Sequence, residues 1–126
     1  MKKKAIIISI NGSELSNKEK MLLSKEKPWG IILFKRNIKS FNQIQKLTKD
    51  IKKLTRDKKF PILIDEEGLK VSRLSNIINH KLNANFFGSL YKRDKNIAIS
   101  LYKTYLRSLN AILKKIGINV NTIPVL

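Results

Sequence analysis

KFPILIDEEGLKVSRL, residues 59–74, joins an apolar run to three consecutive carboxylates, Asp65, Glu66 and Glu67. The run FPILI is apolar throughout, which is typical of a parallel strand buried on both faces, and Pro61 is tolerated only at its start. The chain has nine Asp and Glu against twenty-seven Lys and Arg. Three of its nine acids therefore follow directly on one predicted strand, which indicates a chemical role.

Three other segments have the same strand pattern. AIIISI (residues 5–10) is predicted as a fully buried strand, because its apolar run is continuous and ends at a turn pair, Asn11-Gly12. WGIILF (residues 29–34) is predicted as the second strand and INVNTIPVL (residues 118–126) as the last. With the strand before Asp65, the sequence predicts four strands.

Helices are predicted between these strands. Ser16 and Glu19, and again Ser40 and Gln43, have the spacing of a capping box, in which two backbone donors at a helix start are satisfied reciprocally. After each box, apolar residues form one face of a helix, most regularly in the second. Another amphipathic helix is predicted within residues 94–117, with an aspartate N-cap and a glycine C-cap.

Alternating strands and helices predict an α/β fold built of parallel β/α units. Two architectures fit the pattern, a small doubly wound sheet and part of a (β/α)8 barrel. Both place ligands at the carboxyl ends of the strands, where the acidic cluster and the pair Arg36-Asn37 stand. Residues 68–95 are predicted as a long polar connection.

Composition restricts the class of protein. The 126 residues, 42% of them apolar, predict one globular domain, and the absence of cysteine excludes disulfides and thiolate metal sites. The opening MKKKAIIISI imitates a signal peptide, but its apolar run is too short and no cleavage site follows. No run approaches the roughly 20 apolar residues of a membrane helix. We therefore expect a cytoplasmic protein with no membrane partner.

The formal net charge of +18 suggests a polyanion such as nucleic acid. The cations are mostly lysines spread through every predicted element, whereas arginine, which makes bidentate contacts to phosphate, is sparse. The aromatic residues are not interleaved with basic ones as in a base-stacking platform. These features disfavour specific nucleic-acid binding, although a Lys-rich nucleic-acid-binding domain remains an alternative.

The acidic cluster itself permits several chemistries. Neighbouring carboxylates can serve as a glycosidase pair, but such a pair flanks the bond at roughly 5 to 10 Å, which adjacent residues rarely achieve. A magnesium site would suit carboxylates, but no second acidic cluster supports one. Alternatively, Glu66 and Glu67 pair with Lys70 and Arg73 around a solvated loop. Asp65 lies nearest the buried strand and needs partners to be tolerated there.

Three segments together resemble the amino-terminal half of glycoside hydrolase family 3. They are ILFKRN (residues 32–37), IDEEGLKVSRL (residues 64–74) and GINVNTIPVL (residues 117–126). Their order and spacing match the family, and the similarity is closest to the bacterial β-N-acetylhexosaminidases that act on cell-wall fragments. The resemblance extends over nearly the whole chain.

This resemblance implies that residues 1–126 are the first half of a TIM barrel, which takes roughly 250 residues, and that the sequence ends in the fourth strand. It implies a retaining hydrolase of terminal β-linked N-acetylglucosamine that needs no cofactor or metal. Asp65 would bind sugar hydroxyls, while Glu67, Arg73 and Arg36 would hold loops beneath the pocket. The family's acid/base and nucleophile come later, so no catalytic residue is assigned here.

The sequence departs from the family pattern at several positions. Leu69 replaces a glycine, Ser9 replaces an acid often found in the first strand, and Ile123 replaces an alanine. His80 matches no family position and is interpreted as an ordinary loop residue. A non-catalytic sugar-binding half-barrel therefore remains an alternative function. Four parallel strands without closure would also leave open edges, so we expect self-association.

Overall fold

The computed structural model describes residues 3–68, 71–79 and 82–123. Its elements in chain order are β1 (Lys4–Ser9), α1 (Asn17–Glu26), β2 (Pro28–Leu33), a short 3-10 helix (Lys35–Asn37), α2 (Phe41–Thr55), β3 (Ile62–Ile64), α3 (Ala84–Arg93), α4 (Lys95–Lys115) and β4 (Val120–Asn121). The four strands form one parallel sheet in the order β1-β2-β3-β4. The predicted α/β class and its parallel β/α units are confirmed, and the described sheet is open.

Both predicted capping signals mark true helix starts. At α1, the Ser16 hydroxyl accepts from the Glu19 amide at 3.3 Å and the Glu19 carboxylate accepts from the Ser16 amide at 2.8 Å. At α2, the Ser40 hydroxyl accepts from the Gln43 amide at 3.2 Å, but the Gln43 side chain accepts from the Lys39 amide at 2.8 Å. The first box is therefore reciprocal, whereas the second is shifted by one residue.

The core lies between the sheet and the helices. It is built from aliphatic side chains of β2, β3, α2, α4 and the residue that ends α4, all almost completely buried, each of which stabilises the fold by about 1.5–3 kcal/mol relative to exposure. Its members include Ile31, Leu33, Ile44, Leu47, Ile51, Ile62, Ile64, Leu109, Leu113 and Ile116. Packing on these residues fixes the strand ends that carry the site.

The end of α4 is fastened to α2 through Gly117, which has a φ of 81°. The Thr48 hydroxyl donates to the Ile116 carbonyl at 2.7 Å, and the Lys52 ammonium donates to the Gly117 carbonyl at 2.6 Å. A Cβ at position 117 would overlap the Thr48 hydroxyl. The close approach of the two helices therefore requires glycine, as the predicted C-cap suggested.

The prediction that residues 5–10 form a fully buried strand is wrong in burial. β1 forms there, but the side chains of Ile6 and Ile7 are 52% and 44% exposed. The reason is that β1 is an edge strand, paired only with β2 among the described residues. The continuous apolar sequence of β1 is typical of a buried strand, but no described residue covers the side chains of Ile6 and Ile7 enough to bury them.

The prediction of a long polar connection over residues 68–95 is also partly wrong, because α3 lies within it. The Asn83 side chain caps this helix by accepting from the Phe86 amide at 2.9 Å. α3 packs on α4 through aromatic rings, with the Phe87 ring centroid 4.8 Å from that of Tyr102 and 5.4 Å from that of Tyr105. Tertiary contact with α4 thus stabilises a helix of only ten residues, which would be marginal on its own.

Several positions that the sequence singled out lie outside the described residues, namely Leu69, Lys70, His80 and the end of the last predicted strand, residues 124–126. Ser9 ends β1 and is exposed, and Ile123 follows β4 and is partly buried. In the described part of the chain, no helix combines the length and apolar character needed to cross a membrane.

Candidate functional site

Polar side chains cluster at the carboxyl ends of the parallel strands, as the sequence predicts. Asp65 and Glu66 follow β3 directly, the Arg36-Asn37 pair follows β2, and Thr122 follows β4. Neighbouring parallel strands end at the same edge of a sheet, so these residues share one face of the molecule. Core packing of the strands holds their backbones in place.

Asp65 is supported from two sides. The Thr122 hydroxyl donates to its Oδ1, and a terminal nitrogen of Arg73 lies 3.7 Å from its Oδ2. The side chain of Asp65 remains 26% exposed. The carboxylate is therefore oriented by the protein while part of its surface faces outward, where hydroxyl groups of a ligand could donate to it.

Arg73 connects Asp65 to the end of β2. Its guanidinium lies 5.6 Å from the ring centroid of Phe34, within the range of a cation–π contact. The Nε of Arg73 is buried and has no hydrogen-bond partner among the described residues. The guanidinium is thus held by the cation–π contact with Phe34 and by its charge contact with Asp65.

Glu66 is fully buried, with 0% exposure, and fastens the loop after β3. Its Oε2 accepts from the backbone amides of Arg73 and Leu74 at 2.7 and 2.8 Å. Its own amide donates to Oδ1 of Asn121 at 3.0 Å, and Nδ2 of Asn121 donates back to its carbonyl at 3.3 Å. Glu66 therefore connects β3, β4 and the segment that carries Arg73.

This geometry corrects the interpretation of Glu66 as an acid of a solvated loop. Its backbone-amide donors replace water, which makes burial of the carboxylate tolerable. The Glu66 carboxylate thus holds the loop after β3, a role that the resemblance gave only to Glu67 among these acids. Glu67 closes the turn through its backbone, since its amide donates to the Val71 carbonyl at 2.8 Å, and Gly68 follows with a φ of 114°.

Glu66 also acts on Tyr105 of α4. Burial is the main cause that raises the pKa of the Tyr105 phenol, and the negative charge of Glu66 raises that pKa further. Both causes favour the neutral phenol. Tyr105, which packs on Phe87 of α3, is therefore sensitive to the charge of Glu66 in the loop beside Asp65.

Asn37 and Arg36 fasten the end of β2 to the loop after β1. The buried Asn37 accepts from the Phe34 amide at 2.8 Å and donates to the carbonyls of Ile10 and Gly12 at 3.0 and 2.7 Å. The Nε of Arg36 donates to the Ile10 carbonyl at 3.2 Å, and its guanidinium lies 4.7 Å from the centroid of the Phe34 ring. The Arg36-Asn37 pair therefore stabilises the two loops through bonds to their backbone.

Two asparagines near β4 were not identified from the sequence. Besides Asn121, which clamps Glu66, Asn119 accepts from the Ile62 amide at 2.8 Å and donates to the Phe60 carbonyl at 3.0 Å. Residues two apart in a strand face the same side. The N-x-N spacing before Thr122 was the available signal, because both amides can then satisfy the backbone of the adjacent strand.

The site is an open face, and no metal cluster accompanies it. Among the described residues, no group of three or more His, Asp or Glu side chains could hold a metal ion. A cavity of about 1100 Å3 lies between α1 and α2, lined partly by Leu23, Leu54 and Phe60, but it adjoins the amino ends of the strands. It contains none of the site residues.

Comparison with known proteins gives a consistent relationship. No protein-family model matches the chain. A β-hexosaminidase of Chromobacterium violaceum is 31% identical over 121 residues, which are 96% of this chain and 34% of that protein. NagZ from Neisseria gonorrhoeae, solved with N-trifluoroacetyl-D-glucosamine, superposes with a TM-score of 0.85 at 30% identity, covering 97% of this chain and 36% of NagZ.

A glycoside hydrolase family 3 β-N-acetylglucosaminidase from Paenibacillus sp. str. FPU-7 gives a TM-score of 0.76 at 26% identity, covering 94% of this chain and 22% of that enzyme. The chain thus spans about a third of the length of the curated relatives it matches. The described strands and helices match the amino-terminal part of the barrel in NagZ, with the sheet not closed. The predicted resemblance is confirmed, and the chain corresponds in sequence and fold to the amino-terminal third of bacterial β-hexosaminidases of glycoside hydrolase family 3.

Proposed function

We propose that the protein is a retaining glycoside hydrolase that releases terminal β-linked N-acetylglucosamine, and that this chain supplies part of its substrate-binding surface. The observation that carries the proposal is the match to β-hexosaminidases along 96% of the chain, with Asp65 at the carboxyl end of β3. Residues 1–126 would then form the amino-terminal half of a TIM-barrel domain, which places Asp65 at the ligand-binding end.

Asp65 is the residue to which we assign sugar binding. A carboxylate can accept from two adjacent hydroxyl groups, and hydrogen bonds to a charged group contribute about 1.5–3 kcal/mol each. Contacts with Thr122 and Arg73 occupy one side of each oxygen, and the exposed part of the side chain leaves acceptor positions available. This combination of fixed orientation and exposure is what a sugar-binding carboxylate requires.

Glu67, Arg73 and Arg36 are assigned to holding the loops beneath the sugar, and the structure adds Glu66 and Asn37 as candidates for the same work. The Glu66 carboxylate accepts from the amides of Arg73 and Leu74, and Asn37 donates to the carbonyls of Ile10 and Gly12, so each added side chain bonds the backbone of another segment. A retaining mechanism needs two groups on opposite sides of the bond. Asp65 and Glu66 are consecutive and Glu66 is buried, so we assign bond cleavage to neither acid: Asp65 binds the sugar and Glu66 holds the loop.

We further propose that the protein works in the cytoplasm on fragments of the cell wall. The support for this setting is the resemblance to bacterial enzymes that act on cell-wall fragments. Fractionation of the source cells tests the location directly. Recovery of the protein outside the cytoplasm would contradict it.

The activity test uses the natural full-length protein with 4-nitrophenyl N-acetyl-β-D-glucosaminide and the corresponding β-glucoside. We expect faster hydrolysis of the first, and the variant Asp65→Asn should lose about 100-fold or more in kcat/KM because two charge-assisted bonds weaken. Asp50→Ala, which removes an exposed carboxylate of α2, is the matched control.

Each other outcome indicates a different function. Binding of N-acetylglucosamine without hydrolysis would indicate a non-catalytic sugar-binding protein. Affinity for nucleic acid that falls steeply with salt and persists in Asp65→Ala would indicate a Lys-rich nucleic-acid-binding domain. Either result would refute the proposed hydrolase.

A further inference from the structure

We infer that Thr122 is a positioning residue for Asp65 and that, together with Arg73, it sets the orientation in which the carboxylate meets a ligand hydroxyl. The inference rests on the proposed function, because it specifies how the sugar-binding carboxylate is prepared. It concerns a hydroxyl group that the family motif did not identify, at the end of a different strand from Asp65.

The backbone brings the Thr122 hydroxyl to Asp65. The Thr122 amide donates to the Ile64 carbonyl at 3.0 Å, which continues the β3–β4 pairing one step beyond the Ile64–Asn121 pair. The Thr122 hydroxyl then lies against Oδ1 of Asp65 and 3.4 Å from the Ile64 carbonyl. The register between β3 and β4 therefore places the Thr122 hydroxyl beside the Asp65 carboxylate.

Arg73, in the loop after β3, contacts the other carboxylate oxygen of Asp65, Oδ2. Its backbone amide donates to the buried Glu66, and its guanidinium makes a cation–π contact with Phe34 and lies 3.7 Å from Oδ2 of Asp65. The two oxygens of Asp65 thus have different protein partners on separate segments. Rotation of the carboxylate would break both contacts, so its plane is fixed before any ligand arrives.

Fixing the carboxylate in advance strengthens binding, because ordering a side chain at the moment of association weakens it. The Thr122 hydroxyl can be removed by a substitution that changes little else. Valine has the shape of threonine without the hydroxyl, and serine retains the hydroxyl without the methyl group. Thr122 is exposed, so neither replacement disturbs the core.

The experiment compares Thr122→Val and Thr122→Ser in the natural full-length protein, with binding of N-acetylglucosamine measured by calorimetry and kcat/KM measured on its 4-nitrophenyl glycoside. Thr122→Val should lower both the affinity for N-acetylglucosamine and kcat/KM about tenfold, equivalent to about 1.4 kcal/mol. Thr122→Ser should stay within about twofold of the unmodified protein, as should the control Thr104→Val, which removes an exposed hydroxyl of α4.

Wild-type affinity in Thr122→Val would overturn the inference, and so would an equal loss in Thr122→Ser, because the methyl group would then be responsible. A crystal structure of Thr122→Val gives a second readout that needs no sugar. We expect the Asp65 carboxylate to rotate or to occupy two orientations, and an unchanged carboxylate would overturn the inference. If the unmodified protein neither binds nor hydrolyses the sugar, the proposed function fails, and this second readout still tests the positioning.

Discussion

Replacement of Glu66 by alanine should destabilise the protein strongly, although the residue stands in a polar loop motif. Its carboxylate is fully buried and accepts from the amides of Arg73 and Leu74. Alanine would leave one buried and one partly buried donor without this partner, at about 1–3 kcal/mol each, so the expected loss is about 2–6 kcal/mol. That is a large fraction of the roughly 5–15 kcal/mol by which a domain is stable.

The assay is equilibrium unfolding of the natural full-length protein in urea, with Glu66→Gln and Glu67→Ala as companions. Glutamine retains an acceptor oxygen but no charge, so Glu66→Gln should lose less than Glu66→Ala, about 1–2 kcal/mol. Glu67→Ala should lose less than about 1 kcal/mol, because the turn bond of Glu67 is made by its backbone. A larger loss in Glu67→Ala than in Glu66→Ala would refute the reasoning.

Two further predictions concern α4. Gly117→Ala should lower the free energy of unfolding by about 2–3 kcal/mol, because alanine at a φ of 81° is strained and its Cβ would displace Thr48. Gly88→Ala in α3 has open space around its Cβ and should be neutral or stabilising, and an equal loss in both variants would contradict the explanation. Because the pKa of Tyr105 is raised in the folded state above its ordinary value of 10.0, its stabilising contribution is complete below pH 10 and is lost as the pH rises through the higher folded value. Urea unfolding at several pH values should therefore show a smaller alkaline loss of stability in Tyr105→Phe, and parallel losses in the two proteins would contradict it.

Local signals in the sequence were sufficient for most helix starts and for the alternation of strands and helices, whereas the order of the strands in the sheet was left open between two architectures. Ser16, Ser40 and Asp94 all cap helices, because a capping side chain acts on amides two or three residues away. α3 was missed although Asn83 caps it in the same way, and its aromatic contacts with α4 involve residues beyond the reach of a local pattern. Exposure of β1 was missed for the same reason, since burial depends on what lies beside the strand.

The sequence predicted where the site lies but not which of its acidic side chains is buried and which is exposed. The sequence located three acids at one strand end, and Asp65 does lie there with partial exposure. It could not distinguish Glu66 from Glu67, because loop geometry decides which of two consecutive side chains faces the interior. Nor did it reveal that Thr122 meets Asp65, since that contact depends on the register between β3 and β4.

The most direct test of the account is a crystal structure of the natural full-length protein with N-acetylglucosamine bound. We predict that the sugar lies at the carboxyl ends of the strands, with oxygens of Asp65 about 2.5–3.0 Å from two of its hydroxyl groups. A sugar bound in the cavity between α1 and α2, or at the strand ends without contact to Asp65, would contradict the central claim that this carboxylate binds the substrate.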